Sequence, residues 1–293
     1  MTLTSKSPIV TTQWLEQNLD NERVILLDAS MEKVVGKTPI EYDSLSCIPG
    51  AMKIDLEKEL CDLSSTQVHA FPTREKFELI VSVLGIKKDS LVVIYDNQGI
   101  YSSPRAWWIF QVMGFENTLV LDGGLPQWLA EGRETTSHYK QTAPLPLLNN
   151  KESPVDLCSD KVCDSRYVLE KMADKNISIY DARGAARFLG QAAEPRAGIR
   201  SGHIPNATNL PFAKVLHGHC LKTPVDLRAL FTEVTAIDSN NPIAQTERIF
   251  SCGSGITACI LILASVTAGH DNNVLYDGSW ADWGSNHRLP IEV

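Results

Sequence analysis

The 293-residue chain has no apolar stretch long enough to cross a bilayer. Its longest largely apolar run, residues 256–268, falls well short of the ~20 residues that a spanning helix needs and suits a buried helix instead. The opening Met1-Thr2-Leu3-Thr4-Ser5-Lys6 has no apolar core of the secretory type, which predicts a chain without such a leader. CxxC pairs are missing as well. The seven cysteines (47, 61, 158, 163, 220, 252 and 259) are odd in number and scattered, which suits free thiols in a reducing compartment. There is no basic excess either: 27 Lys+Arg against 35 Asp+Glu leave a formal charge of −8. That balance argues against nucleic acid and anionic membranes as partners, while permitting a local cationic pocket. With 43% hydrophobic and 21% charged residues, the composition is that of an ordinary globular protein and excludes disorder or a collagen-like repeat. Together these absences predict a cytoplasmic globular protein.

The chain does contain itself twice. Val24-Ile25-Leu26-Leu27-Asp28-Ala29 resembles Ile177-Ser178-Ile179-Tyr180-Asp181-Ala182, and Ile48-Pro49-Gly50-Ala51 resembles Ile204-Pro205-Asn206-Ala207. Residues 91–96 match 248–252 in pattern, and Leu121-Asp122-Gly123-Gly124 with Trp128 matches Tyr276-Asp277-Gly278-Ser279 with Trp283. Four matches in one order, offset by 153 to 156 positions, indicate a tandem duplication. Each half reads as a helix capped by Thr12 or Ser165, a short buried strand ending in Asp, and a second helix (73–84; 224–235). A second strand (91–95; 249–251), a third helix (103–113; 257–267) and a third strand (118–121; 274–276) follow. Strands alternating with helices predict an α/β class, with two domains that each hold a mostly parallel sheet flanked by helices. Pro144, Pro146 and Pro154 punctuate an aperiodic stretch, so the expected division is 1–141, a linker at 142–156, and 157–293.

In open α/β sheets, ligands bind beyond the carboxyl ends of strands, often against a helix N-terminus. In the second half that place is Ser251-Cys252-Gly253-Ser254-Gly255-Ile256-Thr257. Its two glycines let the loop curl so that backbone N–H groups face inward as an anion cradle. A cysteine at the head of such a cradle is held in an environment that favours the nucleophilic thiolate. The matching first-half loop, Tyr95-Asp96-Asn97-Gln98-Gly99, has Asp96 where Cys252 stands. A carboxylate is no sulfur nucleophile, so only the second half is expected to be catalytic.

That loop, the Gly202-His203-Ile204-Pro205-Asn206-Ala207 segment, the Asp181-Ala182-Arg183 strand end and the Asp277-Gly278-Ser279-Trp280 turn resemble the tandem-domain rhodanese sulfurtransferases. The resemblance covers almost the whole chain, including an inactive first domain. Within the family, the loop is most similar to the branch that takes sulfur from 3-mercaptopyruvate. Thiosulfate-using relatives typically carry Arg and Lys where Gly253 and Ser254 stand, and a compact dianion benefits from such cations. The resemblance implies that Cys252 attacks the sulfur of the small-molecule substrate 3-mercaptopyruvate, releases pyruvate and holds a persulfide. The outer sulfur then passes to an acceptor thiol, a thioredoxin-like protein or cyanide, with no cofactor or metal. Arg187 and Arg196 match the family's substrate-binding positions, where a guanidinium suits a carboxylate. Gly253, Gly255, Ile256 and Thr257 complete the binding loop. Ser254, His69 and Asp55 match a serine-protease-like proton relay proposed for the family.

Three alternatives compete with this reading. One is a thiosulfate sulfurtransferase with an atypical loop, and another is a non-catalytic module that carries persulfide or binds partners. The third, a phosphatase on the same fold, wants a longer loop closing on an arginine, whereas Ala258 follows Thr257. His217-Gly218-His219-Cys220 reads as a turn with incidental histidines rather than a metal site. Trp14, Trp107, Trp108 and Cys259 read as packing residues, and Arg183 as a structural partner for a carboxylate at the strand end.

Overall fold

The computed structural model describes residues 7–141, 155–235 and 247–293, so most of the expected linker at 142–156 lies outside the described residues. The chain divides into two compact units. The first gathers Met1–Leu63, Phe71–Cys158 and Gly218–Leu221, and the second gathers Ser64–Ala70, Ser159–His217 and Lys222–Val293. Two short segments are therefore exchanged: residues 64–70 belong with the second unit and 218–221 with the first.

In the first unit the strands are β1 (Ile9–Val10), β2 (Val24–Asp28), β3 (Met52–Lys53), β4 (Leu91–Tyr95) and β5 (Thr118–Leu121). They form one parallel sheet in the order β1-β5-β4-β2-β3. Its helices are α1 (Thr12–Glu16), α2 (Arg74–Val83), α3 (Ser103–Val112) and α4 (Gly124–Ala130). Every residue of β4 and β5 is buried, as expected for parallel strands covered on both faces.

The second unit repeats the plan. It contains β6 (Val162–Cys163), α5 (Ser165–Lys171), β7 (Ile177–Asp181), α6 (Ala185–Phe188), β8 (Thr208–Asn209) and β9 (Leu216–His217). After the short strand β10 (Cys220–Leu221) of the first unit come α7 (Pro224–Thr235), β11 (Glu247–Ser251), α8 (Ala258–Thr267), β12 (Asn273–Tyr276) and α9 (Ser279–Trp283). Its parallel sheet runs β6-β12-β11-β7-β8, the same order position for position. The internal repeat is thus a repeat of structure.

Both expected caps move by one residue. Thr11, not Thr12, caps α1: its backbone is extended and its hydroxyl accepts from the Trp14 N–H. Thr12 already lies in the helix and donates its hydroxyl to Glu131. Likewise Asp164, not Ser165, caps α5 by accepting from the Tyr167 N–H at 2.9 Å. An N-cap needs non-helical backbone and an acceptor aimed at the third residue on, and the preceding residue meets both conditions in each helix.

His270, after α8, is buried edge-on against Phe231. Burial pulls its imidazole down to about 4, with Arg248 adding to the effect, Asp271 opposing it and Arg228 reinforcing it. The unfolded chain takes up this proton near pH 6.5 while the folded chain stays neutral, so stability falls as pH drops from 6.5 towards 4. Between pH 7 and 5, the wild-type Tm is expected to drop further than that of His270→Gln. Equal drops would show that this histidine does not contribute.

Candidate active site

The site begins where β11 ends. Ser251 is the last strand residue, and Cys252 heads the turn towards α8 with only 2% of its surface exposed. The turn is pinned from behind by α9. The Cys252 carbonyl accepts from the Trp280 N–H at 3.0 Å, and the Gly253 carbonyl accepts from the Ala281 N–H at 2.9 Å. In a trans peptide, C=O and N–H point in opposite directions. Tying these two carbonyls to α9 therefore aims the Gly253 and Ser254 N–H groups away from α9. Among the described residues, no protein acceptor takes the N–H of Gly253, Ser254 or Gly255. The result is a row of backbone donors beside a buried thiol, the arrangement of an anion cradle.

The two glycines have different tasks. Gly255 takes φ +78°, the left-handed region where a Cβ is penalised. Gly253 makes room instead: a Cβ there would come within 3.3 Å of Arg187 Nη2. Ile256 is buried, Thr257 is half-buried as the α8 N-cap residue, and every residue from Ala258 to Ser265 is buried. Cys259 packs wholly inside, its thiol donating to the Gly255 carbonyl at 3.3 Å.

Behind the loop lies a ladder of arginines and carboxylates. Arg183 pairs with Asp181 at the end of β7, as the sequence suggests, with contacts of 2.6 to 3.1 Å. It also donates to the Gly202 carbonyl and stacks over Trp280 at 4.4 Å. Glu194 accepts from Arg183 at 2.7 Å and from both Nε and Nη2 of Arg187. Glu194 is the residue that sequence reasoning missed. Its side chain is 3% exposed, and it fixes beside Gly253 the guanidinium of Arg187, whose side chain is 17% exposed. Arg196 donates from Nη2 to Ser254 Oγ at 3.4 Å. Arg183, Arg187 and Arg196 against Asp181 and Glu194 leave one positive charge, enough for a single carboxylate.

Ser254 is 7% exposed and meets His69 Nδ1 at 2.9 Å. His69 belongs to residues 64–70, which join the second unit and not the first, as its position in the sequence had suggested. Its backbone sits at φ +57°, and two residues earlier Gln67 donates to Asp277 at 2.5 Å. Asp55 belongs to the first unit and caps its own turn. Its Oδ1 accepts from the N–H groups of Glu57 at 2.8 Å and Lys58 at 3.1 Å, and Lys58 Nζ lies 3.5 Å from its Oδ2. The structure thus brings Cys252, Gly253, Ser254, Gly255, Arg187, Arg196 and His69 into one neighbourhood and gives Asp55 a local contact set of its own.

The first unit shows what such a loop does with an anion of its own. Asp96 is fully buried, and its Oδ2 accepts the N–H groups of Tyr101, Ser102 and Ser103 at 2.8 to 3.0 Å and the Ser103 hydroxyl at 2.6 Å. Oδ1 takes the Gln98 N–H. Burial pushes this carboxyl up while those hydrogen bonds pull it down. In this half a carboxylate occupies the cradle at the N-terminus of α3. In the other half a cysteine stands at the corresponding position.

Among the described residues, no group of three or more His, Cys, Asp or Glu could hold a metal ion, and no helix is long and apolar enough to cross a membrane. The rhodanese-like domain family matches residues 11–131 and again 164–286. A thiosulfate/3-mercaptopyruvate sulfurtransferase of Arabidopsis thaliana is 34% identical over 310 aligned positions, covering 99% of this chain and 87% of the relative. The 3-mercaptopyruvate sulfurtransferase of Escherichia coli K12 is 35% identical, with 97% of each chain covered. A crystal structure of a 3-mercaptopyruvate sulfotransferase from E. coli superposes with a TM-score of 0.76 at 30% identity, covering 94% of this chain and 99% of that one. With two matched domains, full-length relatives and a cysteine-headed loop in the second unit, the chain belongs to the thiosulfate/3-mercaptopyruvate sulfurtransferase family, built of tandem rhodanese-like domains.

Proposed function

We propose that this protein is a 3-mercaptopyruvate sulfurtransferase. The Cys252 thiolate attacks the substrate sulfur, and a sulfur–sulfur bond forms as the carbon–sulfur bond breaks. The electron pair of the broken bond passes towards the neighbouring ketone as the enolate of pyruvate, and protonation at carbon completes the product. Backbone N–H groups of residues 253–257 hold the charged persulfide without having to reorganise. Arg187 and Arg196 hold the substrate carboxylate. Ser254, hydrogen-bonded to His69, supplies the proton, while Asp55 stays with its own turn and takes no part in the step. An acceptor thiol, of a small molecule or a thioredoxin-like protein, or cyanide, then removes the outer sulfur. The seven cysteines are all free thiols, which favours a cytoplasmic setting for this chemistry.

One observation carries the choice of donor: the loop itself has no charged side chain, and Gly253 leaves its space to Arg187. A net charge of one beside the cysteine matches a monocarboxylate better than the compact thiosulfate dianion. Comparing kcat/KM for 3-mercaptopyruvate and thiosulfate tests this directly. A preference for 3-mercaptopyruvate is expected, and a strong thiosulfate preference would overturn the assignment in favour of thiosulfate sulfurtransferase activity.

The arginines make separable predictions. Arg196→Ala should raise KM for 3-mercaptopyruvate by about tenfold or more with kcat changed only a few-fold, because a charge-assisted carboxylate contact binds ground and transition states alike. Arg187→Ala should do the same and also lower Tm, because it removes one of the two cations that Glu194 pairs with. Unchanged KM in both variants would remove these arginines from substrate binding. Asp55→Asn, which keeps an acceptor for the turn, should preserve Tm and reduce kcat less than a Ser254 substitution does.

A further inference from the structure

The repeat isolates one position that differs between the halves in a telling way. In the first unit, the Leu125 N–H donates to the Asp96 carbonyl at 3.0 Å, and in the second the Trp280 N–H donates to the Cys252 carbonyl at 3.0 Å. This shared bond aligns Leu125 with Trp280, and so Gly124 with Ser279. Both preceding residues have left-handed backbones, φ +52° at Gly124 and φ +51° at Ser279. Glycine is the expected occupant of that conformation, since a Cβ there is penalised. At Gly124 a Cβ would also lie 2.4 Å from the carbonyl oxygens of Asp96 and Gly99. Serine at 279 carries the conformational cost and is fully buried besides.

Its hydroxyl accounts for the exception. Ser279 Oγ accepts the N–H of Cys252 at 3.1 Å and donates its own proton to the Tyr276 carbonyl at 3.0 Å. With the Trp280 bond, both backbone groups of Cys252 are held by consecutive residues of one turn: the N–H by a side chain, the carbonyl by a helix-start amide. Strained backbone persists where the surroundings over-determine it, and here what it supports is the backbone of the candidate nucleophile. The Tyr276 hydroxyl donates to Asp282 at 2.7 Å, which ties the end of β12 to α9 and steadies the carbonyl that orients the Ser279 hydroxyl.

We propose that Ser279 is a positioning residue that locks the Cys252 backbone, so that the thiolate faces the substrate sulfur in one orientation while the neighbouring loop amides stay free for the persulfide. The proposal rests on the reading of Cys252 as the sulfur carrier. It makes Ser279 matter for the rate of sulfur capture and not for substrate affinity, which belongs to the arginines.

Two variants separate positioning from folding. Ser279→Gly removes the hydroxyl and also the left-handed penalty, so it should fold with a Tm at or near that of the wild type. Ser279→Ala removes the hydroxyl, keeps the penalty and should be the less stable of the two. In both, kcat with 3-mercaptopyruvate and the single-turnover rate of persulfide formation should fall about tenfold while KM stays within twofold. Ser279→Gly decides the matter even if Ser279→Ala folds poorly. A Ser279→Gly protein that loads sulfur at the wild-type rate, or whose loss lies in KM, overturns the proposal alone. Failure of the wild type to form a persulfide on Cys252 overturns the reading beneath it as well, so the two failures are distinguishable.

Discussion

Cys252→Ser is expected to release pyruvate from 3-mercaptopyruvate at least about a thousandfold more slowly than the wild type. A serine hydroxyl cannot hold the outer sulfur as a persulfide, so the first half-reaction has nowhere to put its product. The loss should come without unfolding. Cys252 is held by its backbone, through Ser279 and Trp280, and its side chain donates no hydrogen bond among the described residues. Wild-type Tm together with lost turnover is therefore the expected pair of results. Turnover within tenfold of wild type would remove Cys252 as the nucleophile.

Ser254→Ala is the second large effect, a fall in kcat of about a hundredfold, the usual scale of a single acid–base contribution. Ser254 is 7% exposed, and its hydroxyl lies between His69 Nδ1 at 2.9 Å and Arg196 Nη2 at 3.4 Å. A cation on one side and an imidazole on the other make it a group through which a proton can pass to the nascent enolate. The variant should bind substrate almost as well as wild type, because both arginines remain, so the effect should sit in kcat and not KM. His69→Ala should lie in the same direction, and the double variant should cost little more than Ser254→Ala if the two act as one unit. Additive losses would mean that they act separately.

Much of this arrangement can be read from the chain because each half carries a strong local signal. Runs such as Leu91-Val92-Val93-Ile94-Tyr95 are buried along their whole length, and their helical partners follow at regular distance. The duplication sets Asp96 opposite Cys252, and the structure shows that carboxylate capping its own loop. What could not be read is what depends on closure in three dimensions. His69 lies among first-half residues in sequence yet folds with the second unit, which no periodicity reports. Glu194 stands in plain view beside Pro195 and Arg196, but its place between Arg183 and Arg187 depends on how a loop returns to the end of β7. The caps at Thr11 and Asp164 were missed by one residue because adjacent positions, Thr12 and Ser165, carry chemically similar side chains. Ser279 was visible as a substitution for Gly124, and only its φ and its bond to Cys252 give that exchange a meaning.

In the proposed reaction, sulfur from 3-mercaptopyruvate comes to rest on Cys252. Intact-mass measurement after incubation with 3-mercaptopyruvate, without an acceptor, tests it most directly. The protein should gain about 32 Da, one sulfur atom, mapped to the peptide containing Cys252 and removed by a thiol or cyanide. No gain, or a gain on one of the other six cysteines, would exclude Cys252 as the sulfur carrier.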